Sequence, residues 1–131
     1  MKTFLLIFIA ACCLLSCKKS SISSGLVGKW ELRRQYGGLA AYDSVYKAGN
    51  GTIFQFNRDS TYKAYNKGTL YSQGNFHIKI VGYNSTTSFY GAVLFDNVNL
   101  GTEAISLDDT KLTLGTTVTD GLAADYAKIG N

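Results

Sequence analysis

Apolar and polar residues alternate with a period of two along most of this chain, which predicts strands rather than helices. Trp30, Leu32 and Tyr36 share a parity with Arg34, against Glu31, Arg33 and Gln35. After a glycine-bounded stretch, Gly37 to Gly49, the run Thr52-Ile53-Phe54-Gln55-Phe56 meets Ser60 to Tyr65 across Asn57-Arg58-Asp59, a hairpin pattern. Asn66-Lys67-Gly68 makes the next turn. A long strand is expected over Tyr71 to Val81, with Phe76, Ile78 and Ile80 alternating with Asn75, His77 and Lys79. Phe89 to Phe95 is apolar on both parities, as in a strand covered on both sides. Ile105 and Leu107 lead to a turn at Asp108-Asp109-Thr110, and Leu112 and Leu114 resume after it. Thr119-Asp120-Gly121 turns once more before Ala124, Tyr126 and Lys128. Eight strands joined in sequence by short turns predict an all-β fold, an eight-stranded antiparallel up-and-down barrel, because closure removes exposed edges. A sandwich of the same strands is the rival arrangement.

The start of the chain has a different pattern. Met1-Lys2-Thr3 is a short positive beginning, and Phe4 to Leu15 is an unbroken apolar run of twelve residues. That suits a secretion signal and is too short for a spanning helix, which needs about 20 residues. Leu14-Leu15-Ser16-Cys17 resembles the lipobox of bacterial lipoproteins, in which the cysteine is acylated and becomes the new N-terminus. The resemblance implies a signal peptide over 1–16, lipidation of Cys17 with fatty acyl chains such as palmitate, and a flexible linker to residue 25. An ordinary signal peptide cut nearby is the alternative. Cys12 and Cys13 leave with the apolar run, so Cys17 is the one cysteine left and no internal disulfide can form. Acylation would also remove an exposed thiol from an oxidising compartment. Two or more acyl chains anchor a protein durably. The expected location is therefore the bacterial outer membrane, on the periplasmic face rather than the surface, because no acidic run follows Cys17.

Composition agrees with a single strand-rich domain over 26–131. The chain has 131 residues, 46% hydrophobic and 17% charged, with nine tyrosines, fourteen glycines and no proline. The formal charge is +4, yet the basic residues are scattered, with no stripe of the kind that binds nucleic acid. Lone His77 takes an outward parity, and with no further cysteine or histidine neither a zinc site nor a Cys/His nucleophile can be assembled. Asp108-Asp109 reads as a turn rather than a carboxylate pair. Neither an enzyme, a metal site nor a cofactor is expected. Asp43-Ser44-Val45 and Asp59-Ser60-Thr61 resemble a bacterial O-glycosylation acceptor, which would make Ser44 and Ser60 modification sites on loops.

Gly28-Lys29-Trp30 looks like the Gly-x-Trp signature of lipocalins. The opening Leu26 to Trp30, the aromatic hairpin Phe54 to Tyr65 and the closing Tyr126 to Ile129 together resemble small lipocalin-like bacterial lipoproteins over residues 26 to 130. The resemblance implies that Gly28, Trp30 and Lys128 close one end of the barrel, with the lysine packed over the indole, and that the interior binds a small hydrophobic molecule. Parity points Trp30, Phe54, Phe56, Tyr62, Phe76 and Tyr126 inward, and Arg34, Tyr36 and Tyr62 would supply orienting polar groups. A strand of about seven residues tilted near 40° gives a barrel roughly 17 Å tall. Six rings can fill so short a barrel or line a pocket at its open end. A filled barrel would point instead to a structural role, its exterior meeting another envelope protein. The segment Gly37 to Gly49, with Tyr42, Val45 and Tyr46, is the expected lid in either case.

Overall fold

A computed structural model of the chain describes residues 22–116 and 120–131. The predicted signal over 1–16, Cys17, the first part of the linker and Thr119 lie outside the described residues. A short helix, α1 (Ile22–Leu26), precedes nine strands: β1 (Gly28–Gly37), β2 (Tyr42–Val45), β3 (Ile53–Phe56), β4 (Thr61–Asn66), β5 (Thr69–Tyr83), β6 (Phe89–Phe95), β7 (Thr102–Leu107), β8 (Lys111–Gly115) and β9 (Leu122–Gly130). Every pairing is antiparallel. Strands β3 to β9 follow one another in order, and β1 joins β3 to β9, which closes an eight-stranded barrel. These are the eight strands that the alternation predicts, and the sandwich is excluded.

Two elements fall where no regular structure is expected. Strand β2 lies inside the Gly37–Gly49 stretch and pairs with the C-terminal half of β1, Arg34 opposite Val45, while the N-terminal half of β1 pairs with β3. Residues 22–25, read as linker, are helical, and they deliver Leu26 into the core. The Trp30 indole nitrogen donates to the Leu26 carbonyl at 2.7 Å, so the helix is tied to the first inward ring of the barrel. This caps one end. A lone turn of helix is marginal in water, and the buried leucine and indole bond supply what its length does not.

The turns follow local chemistry. Lys67 and Gly68 both take positive φ, 48° and 83°, as a two-residue hairpin turn matched to strand twist requires. At 57–60, Asp59 accepts from the Thr61 amide and hydroxyl, pinning the β3–β4 reversal. Asp108 accepts from the Asp109 amide within its own turn, and Asp108 and Asp109 also tie that turn to the β5–β6 loop, accepting from the Ser88 and Thr87 hydroxyls.

The core is a stack of inward side chains. Trp30, Leu107, Leu112 and Phe89 lie toward the capped end, and above them Phe54, Phe56, Tyr62, Phe95 and Tyr126 meet ring to ring. Phe76 is half-buried and packs edge-on against Phe56, 5.0 Å between centroids. All six rings expected inside are therefore on the interior side, and His77 is exposed on the outer face. Such edge and offset contacts add to the burial of the rings.

Candidate functional site

The capped end is built by Gly28, Trp30 and Lys128. Trp30 is fully buried, and the Lys128 ammonium lies 5.5 Å from its ring centroid while donating to the Gly25 carbonyl at 3.3 Å. Gly28 has φ 135°, and a methyl group there would run into the Gly130 carbonyl oxygen and the Lys128 side chain. The ends of β1 and β9 leave no room for a side chain here, and only glycine fits.

The opposite end is open. The ring layer stops at Phe54 and Tyr126, and above it two adjoining lobes share Gln35, Tyr71 and Tyr126. One, about 210 Å³, is walled by Phe54, Leu114, Ala124 and Glu103. The other, about 440 Å³, is bounded by Leu32, Tyr46, Thr52 and Lys67. The barrel is thus neither hollow nor solid: rings fill its lower part and leave a mouth. Phe54 and Tyr126, both expected at a ligand site, form the floor of that mouth. Phe56, Tyr62, Phe76 and Trp30 lie deeper in the packing and line neither lobe. The Tyr62 hydroxyl is satisfied there by Ser72, 3.0 Å away.

Arg34 and Tyr36 are not in the mouth. In β1 the partner of Leu32 is Tyr126 and that of Arg34 is Asp125, so Arg33 is an extra residue, a bulge. Parity reverses beyond it. Arg34 turns outward, where its guanidinium makes two bonds to Asp43 at 2.8 and 2.7 Å and lies 4.9 Å from the Tyr36 ring centroid. The Tyr36 hydroxyl donates to Asp125 on the same outer face. Gln35, which the uninterrupted alternation points outward, takes the inward position. Its side-chain oxygen accepts from the Tyr46 hydroxyl at 2.9 Å, which holds the expected lid residue Tyr46 at the mouth, whereas Val45 is exposed.

Tyr71 and Glu103 escape the reading of strand pattern for a related reason. Tyr71 is the extra residue of a second bulge, since Ala64 faces Ser72 and Tyr65 faces Leu70. Glu103 shares the inward parity of Ile105 and Leu107 and sits opposite buried Val93. Only that shared parity could have flagged it. Partial burial raises the Glu103 carboxyl above its ordinary range. Burial also raises the Tyr71 hydroxyl, with the Tyr62 and Glu103 charges adding to it. The Tyr126 hydroxyl is raised well beyond its usual value, first by burial and then by Tyr71 and Glu103. Both phenols therefore remain protonated donors at neutral pH.

The loop beside the mouth is tied down from outside the barrel. Glu31 accepts from the Gly49 and Gly51 amides at 3.0 and 3.1 Å and pairs with Arg33 at 2.6 Å. Burial beneath one layer of chain pushes its carboxyl up, but the bonds from Arg33 and the two amides outweigh this and hold it below the usual range.

Of the two serines resembling glycosylation acceptors, Ser60 is exposed at a turn with φ 64°. Ser44 is not on a loop: it is half-buried in β2, opposite Gln35. Among the described residues no group of three or more acidic, histidine or cysteine side chains is placed to hold a metal ion.

In fold the chain is a small closed antiparallel barrel with one capped end and one open end. It matches no family model, no curated protein and no solved structure.

Proposed function

We propose that this chain is a bacterial envelope lipoprotein, acylated at Cys17 and held at the outer membrane, whose lipocalin-like barrel takes a small apolar or amphipathic molecule at its open end. The observation that carries the reading is the mouth itself. Phe54, Tyr71 and Tyr126 give it aromatic walls, Gln35, Glu103 and the tyrosine hydroxyls give the smaller lobe a few converging polar groups, and Thr52, Asn66 and Lys67 make the larger lobe more polar. An apolar concavity with sparse polar groups is the usual form of a small-molecule site. The lining carries one carboxylate and no histidine, a poor outfit for acid–base chemistry and a sufficient one for holding a ligand.

The chain enters the described fold at Ile22, beside the capped end and five residues after Cys17. A tether there leaves the mouth directed away from the bilayer. The resemblance of Gly28-Lys29-Trp30 and the Trp30–Lys128 contact to lipocalin barrel closure support the same class.

One observation favours a second reading, an interaction role. Val81 on β5 and Tyr90 and Leu94 on β6 are exposed large residues on neighbouring strands, a surface suited to a protein partner. Native mass spectrometry of the chain purified from its host separates the two. A copurifying small molecule, lost on denaturation, supports the binding barrel; an empty barrel that brings down another envelope protein overturns it. Labelling with radioactive palmitate, lost in Cys17→Ser together with membrane association, tests the anchor.

A further inference from the structure

We infer that the mouth selects a cationic amphiphile, a small molecule whose amine or quaternary ammonium group sits against Glu103 and the rings of Phe54, Tyr71 and Tyr126. The inference rests on the binding role proposed above and names the ligand chemistry for the same site.

Glu103 is the only acidic side chain at an interior-facing strand position among the described residues. Its environment contrasts with that of Glu31. Glu31 is covered by chain and fully engaged, by Arg33 and two backbone amides. The Glu103 carboxylate makes no hydrogen bond and no ion pair within 4.0 Å among the described residues, although buried Val93 lies opposite it and Phe54 lines the same lobe. A partly desolvated carboxylate without a partner costs stability, and a barrel has no structural need for one at that place. A cation supplied from outside would meet that carboxylate directly.

The neighbouring groups suit the same cation. Aromatic faces attract ammonium groups, more strongly as water is excluded. Phe54 and Tyr126 are buried, with their centroids 5.7 Å apart at nearly a right angle, and Tyr71 stands at the rim of the same lobe. Apart from Gln35 and Thr116, the rest of that lobe, Leu100, Leu114 and Leu122 among it, is apolar and would hold a hydrocarbon body. The single basic residue of the mouth, Lys67, belongs to the other lobe, so an anion entering beside Glu103 would meet repulsion and find no counter-charge there.

The test compares three probes that share a benzyl group and differ in charge: benzyltrimethylammonium, benzyl alcohol and phenylacetate. They are titrated into the full chain in lipid nanodiscs, with empty nanodiscs as reference, and followed by amide NMR shifts. The cation is expected to move Tyr71, Glu103 and Ala124 and to bind at least about tenfold tighter than the anion at neutral pH. Glu103→Gln should abolish that preference while leaving the Trp30 and Leu107 signals in place, and Glu103→Asp should keep most of it. Equal binding of all three at the mouth, unchanged in Glu103→Gln, overturns the cation preference and leaves the binding barrel standing. Tighter binding of phenylacetate overturns it as well, and assigns selection to Lys67. If no probe moves a mouth residue, the binding role fails and the inference falls with it.

Discussion

The ammonium of Lys128 lies 5.5 Å from the ring centroid of Trp30, at the point where the last strand closes on the first. A partly covered pair of this kind contributes about 0.5–1 kcal/mol. Lys128→Ala should lower unfolding free energy by about that amount, with part of the loss coming from the packed alkyl stem. Lys128→Arg should match or exceed the wild type, because a planar guanidinium stacks better on an indole. Trp30→Ala, which empties the capped end, should cost about 3–5 kcal/mol. Urea titrations of the three variants measure all of this.

Gly28 tests the same closure through the backbone. At φ 135°, with the Gly130 carbonyl oxygen in the space a β-carbon would take, no side chain can be added without moving β9. Gly28→Ala is expected to destabilise by well over ~1 kcal/mol, more than a surface glycine would show. Gly49, with φ 81° and open space around it, is the control: Gly49→Ala carries the conformational cost without the clash. Equal losses in both variants would show that the contact with Gly130 is not what demands glycine at position 28.

Strand number and the interior set were legible because period-two alternation runs unbroken through β3, β4, β8 and β9. What the pattern could not convey was a change of phase. Arg33 and Tyr71 are each one residue too many for the strand opposite, and such bulges leave no mark in a polar or aromatic stretch. Both sit beside the mouth. The alternation therefore points Arg34 and Tyr36 inside, whereas they lie outside, and it does not reveal Gln35 or Tyr71. Helix α1 is illegible for another reason: five residues, Ile22 to Leu26, are too few to show a helical period, and Trp30, contacted only in the folded chain, holds them. Glu103 was hidden because one inward charge among apolar neighbours reads as an exposed strand end.

Glu31 makes the loop beside the mouth sensitive to acid. Its folded carboxyl titrates below its ordinary value of 4.5, so its contribution is present above that pH and is lost as pH falls through the lower folded value. Protection of the Gly49 and Gly51 amides, taken relative to the intrinsic exchange rate at each pH, should fall below about pH 4.5 in the wild type. In Glu31→Gln protection should be low and flat with pH, with a loss of about 1–2 kcal/mol at neutral pH from the weakened amide and arginine contacts. Wild-type protection that stays unchanged down to about pH 3 would remove Glu31 as the clasp.

Glu103 should behave in the opposite sense. Partial burial raises its carboxyl in the folded chain, so the protonated form favours folding. That contribution is complete below the ordinary glutamate range and disappears as pH rises through the raised folded value. Without ligand, Glu103→Gln should therefore equal or exceed the wild type in thermal stability at neutral pH, by no more than about 1 kcal/mol for a partly solvated group, and lose that edge in acid. The same substitution should weaken capture of an ammonium probe. A residue whose removal stabilises the empty barrel while impairing its binding is kept for the ligand and not for the fold. Scanning calorimetry of both proteins at neutral and acid pH decides it: a clear loss of stability in Glu103→Gln at neutral pH would make Glu103 a structural group after all.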